Sequence, residues 1–195
     1  MKLLIATHNP GKFQEIRAML ADLGAELVSL DELGVAQDFP EEGHSFEANA
    51  LGKARFYHEL SGLPTVADDS GIFVEALADE LGVKTRRWGA GASATDEEWL
   101  TYFMERMALE KNRKAKFVCV AAYADEAQAV AFEGETHGVI TEDVRVPVKP
   151  GIPLSSVFLS EGCATVYSAL SEAEKNELSH RGKAFVQLLH FLAHV

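Results

Sequence analysis

Residues 2–24, KLLIATHNPGKFQEIRAMLADLG, set out a strand, a tight loop and a helix in that order. Lys2–Thr7 is an apolar run of strand length, and His8-Asn9-Pro10-Gly11 is a cluster of turn formers. Phe13, Ile16, Leu20 and Leu23 then recur at helical spacing up to Gly24.

Working outward, Leu27–Leu30 reads as a second strand. Asp38–Gly43 is a loop ending at Ser45, a good N-cap for a helix to about Leu60. Ser45, Asn49 and Lys53 fall four apart on that helix and share a face. Pro64–Ala67 and Ile72–Val74 read as strand on either side of Asp68-Asp69-Ser70-Gly71, and Asp96–Glu110 as a long acidic helix. Lys116–Tyr123 and Ala127–Glu133 form a hairpin pair, Val146–Pro153 is irregular, and Ser171–Val195 carries one or two helices. Mixed strands and helices make this an α/β fold. With no repeat, linker or low-complexity tract, residues 1–195 are expected to form a single domain.

Hydrophobic residues at 47% and charged residues at 25% place the chain among ordinary globular proteins. Its 18 Lys and Arg against 30 Asp and Glu leave a formal charge of −12. That argues against nucleic acid or an acidic membrane as partner, since both demand clustered excess cations. A small anion needs only a local pocket. Met1–Ala6 is far shorter than a signal or membrane-spanning segment, so a cytoplasmic location is expected, with Cys119 and Cys163 as reduced thiols.

Three places carry chemistry-bearing residues. Thr7-His8-Asn9-Pro10-Gly11-Lys12 feeds a helix N-terminus, where unpaired N–H groups, the helix dipole and the Lys12 charge suit a phosphate. It is not a Walker A loop, because Ala6 and Phe13 stand where that motif needs Gly and Ser or Thr. Standing alone, it reads first as an ordinary capped turn. Asp68-Asp69 would be costly to desolvate without a cation or strong partners, and hard oxygen ligands select Mg²⁺ or Mn²⁺. A solvated Asp-Asp-Ser-Gly turn is the competing reading, as a solvated loop is for Glu41 and Glu42. Lys175, Asn176, Ser179, His180 and Arg181 offer a phosphate or base contact, or simply a polar helix end.

Taken in order, LLIATHNPGKFQEI (3–16), GHSFEANALGKA (43–54), VADDSGIFVEAL (66–77), TRRW (85–88), AKFVCVAAY (115–123), FEGETHGVI (132–140) and EKNELSHRGKA (174–184) cover nearly the whole chain. Together they resemble the inosine/xanthosine triphosphate pyrophosphatase family, Ham1-like enzymes that remove non-standard purine nucleotides. The resemblance implies a two-lobed fold on a long, twisted mixed β-sheet flanked by helices, an active cleft between the lobes, and a homodimer. It implies hydrolysis of triphosphates such as dITP, ITP and XTP to the monophosphate and pyrophosphate. By it, Thr7, His8, Asn9, Pro10, Gly11 and Lys12 bind the triphosphate. Asp69 accepts the proton of the attacking water, and Asp68 with Glu41 or Glu42 helps hold Mg²⁺. Asn49, Lys53, Ser70, Lys175, His180 and Arg181 contact the nucleotide, and Lys12 and Lys175 stabilise the departing pyrophosphate. A nucleotide sensor without turnover and a phosphatase for another small molecule are the alternatives.

One segment departs from the family. Gly151-Ile152-Pro153-Leu154-Ser155-Ser156 stands where relatives carry Gly-Phe-Gly-Tyr-Asp-Pro, whose Phe stacks on the purine and whose Asp meets its edge. Weaker selection between purines is therefore expected, unless another ring such as Trp88 supplies the stacking.

Overall fold

The computed structural model describes residues 2–41, 44–78, 80–91 and 93–194. Its framework is one six-stranded sheet, in the order β2-β1-β3-β4-β5-β6. The strands are β1 (Lys2–Ile5), β2 (Glu26–Ser29), β3 (Thr65–Val74), β4 (Lys114–Ala124), β5 (Ala129–Ile140) and β6 (Phe158–Ser160). The helices are α1 (Pro10–Met19), α2 (Phe46–Ser61), α3 (Asp96–Met107), α4 (Glu172–Leu178) and α5 (His180–Leu192). β2, β1 and β3 run parallel, while β3, β4, β5 and β6 pair antiparallel, so the sheet is mixed as expected.

The parallel half dictates where a ligand can go. The chain runs β1, α1, β2 in one direction, then returns through α2 past β1 to β3. Right-handed crossovers in opposite directions put their helices on opposite faces. α1 and α5 cover one face, with Ile16, Ala184, Phe185 and Leu188 packed on Leu3, Ile5 and Val66. α2 covers the other, through Phe46, Ala50, Ala54 and Tyr57 on Leu4, Ala67 and Val120. A third core joins α3 to the far end of the sheet through Trp99, Phe103, Phe117 and Phe158. A crevice opens at the carboxyl end of the strand where the winding reverses. Here that strand is β1. Its last ladder bond runs from the Ala6 N–H to the Val66 carbonyl at 2.8 Å, and β3 continues beyond it without a β1 neighbour.

Local boundaries differ from the sequence expectation in instructive ways. Asp68-Asp69-Ser70-Gly71 is neither a turn nor a break: β3 runs straight through it, each residue paired to β4 from Thr65↔Ala124 to Val74↔Ala115. Gly71 is there for close approach, since a Cβ would come within 2.3 Å of the Gly82 carbonyl oxygen. α1 stops at Met19, and a short 3₁₀ turn, Ala21–Leu23, completes the run to Gly24 at φ 71°. α3 ends at Met107 rather than Glu110. β5 outlasts its predicted end at Glu133 because Thr136, Gly138 and Ile140 continue the inward alternation. Val146–Pro153 remains irregular up to a 3₁₀ turn at Pro153–Ser156, and the C-terminal segment holds two helices.

Candidate active site

A cleft of about 320 Å³ opens beyond β1. The loop after that strand is built by its own side chains. The Thr7 hydroxyl accepts from the Asn9 N–H at 3.1 Å, and Asn9 Oδ1 accepts from the Lys12 N–H at 3.0 Å as the N-cap of α1. Pro10 follows at the first helical position, where its missing N–H costs nothing. Asn9 Nδ2 donates to the Gly151 carbonyl at 2.8 Å, so this side chain holds structure together with both ends.

Adjacent residues on a strand face opposite ways, and β3 uses this to separate its two carboxylates. Asp68 falls on the face of Val66, Cys119 and Ala121, and Asp69 on the face of Ala67 and Val120. Asp69 lines the cleft. Its Oδ2 accepts from Asn49 Nδ2 at 2.9 Å and its Oδ1 from the Ser70 N–H at 2.9 Å. Burial raises its pKa, and the nearby charges of Lys12 and Lys53 only partly oppose that rise.

Asp68 is fully buried and does not line the cleft. Its Oδ2 receives Arg181 Nε and Nη2, both at 3.2 Å, Lys12 Nζ at 3.2 Å and the Cys119 thiol at 3.7 Å. Burial works against its charge, but Lys12, Arg181 and Lys53 prevail and hold its pKa well below the usual carboxylate range. Asp68 and Asp69, expected together at a metal, thus lie on opposite faces of β3. Asp68 is a buried counter-ion to Lys12 and Arg181 through Oδ2, while its Oδ1 has no hydrogen-bond partner among the described residues.

Asn49 and Lys53, one turn apart on α2, reach β3 together, while Ser45 serves as the N-cap, accepting from the Ala48 N–H at 3.1 Å. Lys53 Nζ meets Glu41 Oε1 at 2.6 Å and the free-edge carbonyl of Asp68 at 3.2 Å. Burial disfavours its charge, yet Glu41, Asp69 and Asp68 outweigh that and raise its pKa. Glu41 lines the cleft, whereas Glu42 lies outside the described residues.

The third cluster arrives from the start of α5, capped by Ser179 on the Gly182 N–H at 3.0 Å. Arg181 donates through Nη2 to Ser70 Oγ at 3.0 Å and through Nη1 to Glu15. Glu15 also pairs with Lys175, which is therefore turned from the cleft into a neighbouring depression of about 310 Å³ shared with Pro10, Gly11 and Asn176. Lys175, Pro10 and Gly11 are the expected phosphate contacts that the structure sets apart from the others. His180 lies buried beside two rings nearly parallel to its own, 4.6 Å from Phe117 and 6.1 Å from Tyr167, which are themselves 6.1 Å apart. Burial and the adjacent Arg181 push its pKa well below the ordinary value, so the ring is neutral.

Thr7, His8, Asn9, Lys12, Glu41, Lys53, Asp69, Ser70, His180 and Arg181 thus share one cleft. Apolar residues line it as well: Ile152 and Leu154, of the segment expected at the base, together with Val83, Trp99 and Phe117. In the sequence Val83, Trp99 and Phe117 look like any core position. Trp88 is not the stacking ring, because it packs on Trp99, Tyr102 and Phe103 and donates to Glu80 at 3.2 Å, away from the cleft. Among the described residues, the Thr85 and Ser155 hydroxyls and the His180 ring also line the cleft. Thr85 is already committed, to the Gly82 carbonyl at 2.5 Å and the Ile72 N–H at 3.1 Å.

A cationic end and an aromatic end in one cleft suit a phosphorylated, planar ligand. The Ham1 family model matches residues 3–191 of the chain. A dITP/XTP pyrophosphatase of Leptospira interrogans is 36% identical over 192 residues, covering 98% of this chain and 96% of that one. A dITP/XTP pyrophosphatase of Thermus thermophilus is 40% identical, covering 97% and 90%. The solved structure of a HAM1 protein from Coxiella burnetii superposes with a TM-score of 0.82 at 32% identity, over the whole of both chains.

Proposed function

We propose, from the premise that this chain belongs to the Ham1 family, that its cleft hydrolyses non-standard purine nucleoside triphosphates to the monophosphate and pyrophosphate. The observation that carries this reading is the juxtaposition of buried Asp69 with Lys12, Lys53 and Arg181 beside an aromatic wall. Pyrophosphate leaves as water attacks the α-phosphorus, so cations must sit where negative charge grows. Lys12 and Lys53 supply them. Asp69 orients the water and takes its proton; burial makes its carboxylate more basic, and Asn49 and the Ser70 N–H fix its direction.

Asp69 and Glu41 fit a divalent cation: both are hard carboxylate donors on the cleft wall. Among the described residues no three His, Cys, Asp or Glu side chains gather into a site of their own. Mg²⁺ is typically held by one or two carboxylates plus substrate phosphates, which is the pattern these two residues offer. When bound, Mg²⁺ or Mn²⁺ would neutralise phosphate oxygens and acidify water. We expect exhaustive chelation to abolish pyrophosphate release and added Mg²⁺ to restore it, while full activity without metal would remove Asp69 and Glu41 from this role.

The reaction itself is tested by incubating the protein with inosine, xanthosine, guanosine and adenosine triphosphates and resolving the products. Monophosphate with pyrophosphate supports the proposal; orthophosphate or no product sinks it. Ile152 offers a base only apolar contact, and the Ser155 hydroxyl both donates and accepts. We expect less than about 10²-fold preference in kcat/KM for deaminated over standard purines, with Ile152→Phe/Ser155→Asp sharpening it. Wild-type preference above that value contradicts a relaxed pocket. Lys12→Ala should weaken triphosphate binding much more than monophosphate binding in calorimetry; equal losses would place Lys12 away from the distal phosphates.

No helix among the described residues is long and apolar enough to cross a membrane. A cytoplasmic homodimer is the form we propose for the working enzyme, and sedimentation at micromolar concentration checks the assembly.

A further inference from the structure

Gly151 stands at a crossing. Its carbonyl accepts from Asn9 Nδ2 at 2.8 Å, and its N–H donates to Asp96 Oδ2 at 2.6 Å. Asn9 belongs to the loop after β1, and Asp96 is the first residue of α3, in the core at the far end of the sheet. The segment around Gly151, which lines the cleft, is therefore tied both to the loop after β1 and to α3. Gly151 has φ 79°, and a Cβ there would come within 2.2 Å of Asn9 Oδ1, so no other residue fits without breaking the junction.

The bonds continue in one direction. Asp96 fixes Gly151, Gly151 fixes the amide of Asn9, and the other end of that amide caps the Lys12 N–H at 3.0 Å. A carboxylate on a backbone N–H is a charge-assisted, strong hydrogen bond. Trp99, one turn after Asp96 and so on the same face of α3, lines the apolar end of the same cleft. One helix face thus supplies a wall for the planar part of the ligand and an anchor for the loop at its phosphate end.

We propose that Asp96 is a positioning residue, which, through Gly151 and Asn9, sets the phosphate loop and Lys12 against α3 and so fixes the distance between the two ends of the cleft. The inference rests on the functional reading above only for the role of Lys12. Asp96 touches no reacting atom.

The test compares Asp96→Ala, Asp96→Asn and, as a control in the same helical turn, exposed Glu97→Ala. Amide hydrogen exchange of the unliganded protein, resolved residue by residue, is the first arm. Asp96→Ala should speed exchange at both Gly151 and Lys12, while Asp96→Asn, whose amide oxygen still accepts, and Glu97→Ala should not. Inosine triphosphate hydrolysis is the second arm. Asp96→Ala should lose about 10- to 100-fold in kcat/KM, mostly through KM, with Asp96→Asn within about threefold of wild type. Unchanged exchange at Lys12 in Asp96→Ala, or equal impairment of Asp96→Asn and Asp96→Ala, overturns the proposal. If wild type turns over no triphosphate, the functional reading fails, and the exchange arm still decides whether Asp96 holds the loop.

Discussion

Asp69→Asn is expected to lower kcat at least about 10²-fold while leaving the fold and part of the nucleotide affinity in place. The substitution keeps the shape of the side chain. The oxygen can still accept from either Asn49 Nδ2 or the Ser70 N–H, but not from both, and the NH₂ now faces one of these donors. What disappears is the charge, and with it the ability to take a proton. Because burial already holds the Asp69 carboxylate at a raised pKa, its loss in Asn relieves an unfavourable charge, so unfolding in urea should show little or no destabilisation. Steady-state kinetics beside a urea curve separates these outcomes. Turnover near wild type in a folded Asp69→Asn protein would remove Asp69 from the reaction.

Asp68→Ala should fail in the opposite way, chiefly in stability. Asp68 and Arg181 are both buried, and truncating one partner leaves the guanidinium and the Lys12 ammonium without their shared counter-ion. Breaking a buried pair of this kind costs about 3–5 kcal/mol, a large share of the roughly 5–15 kcal/mol that holds a typical domain folded. Glu15 still engages Arg181, which places the expectation toward the lower end. The pH dependence follows from the depressed pKa of Asp68. A carboxyl whose folded pKa lies below its unfolded value of about 3.9 stabilises the fold fully above that value. Its contribution then declines as pH falls toward the folded pKa. Wild type should lose stability from about pH 5 downward, and Asp68→Asn should show a shallower acid limb. Parallel acid limbs in urea titrations at pH 7 and pH 3 would show that Asp68 is not an anion of this kind.

The two predictions rest on residues that stand side by side in the chain, and the sequence could not tell them apart. It offered Asp68-Asp69 as one acidic pair. Only the strand through them, held in register by β4, sends one carboxylate to the cleft and the other into the face beneath α5.

By itself the sequence determined the α/β class, the strand–loop–helix opening at residues 2–24, and the three polar clusters that meet in the cleft. Those features are local: period, turn chemistry and capping are written in residues a few positions apart. The resemblance of seven ordered segments supplied the family, which the match over residues 3–191 bears out. Tertiary structure alone decided that Lys175 is drawn away by Glu15, that Trp88 is spent in the core while Trp99 faces the cleft, and that Asn9 ties the loop after β1 to Gly151. Two of these depend on partners far along the chain, 160 residues from Glu15 to Lys175 and 142 from Asn9 to Gly151. Whether an apolar ring is core or binding wall, and whether a charge is free or neutralised, is settled by what packs against it.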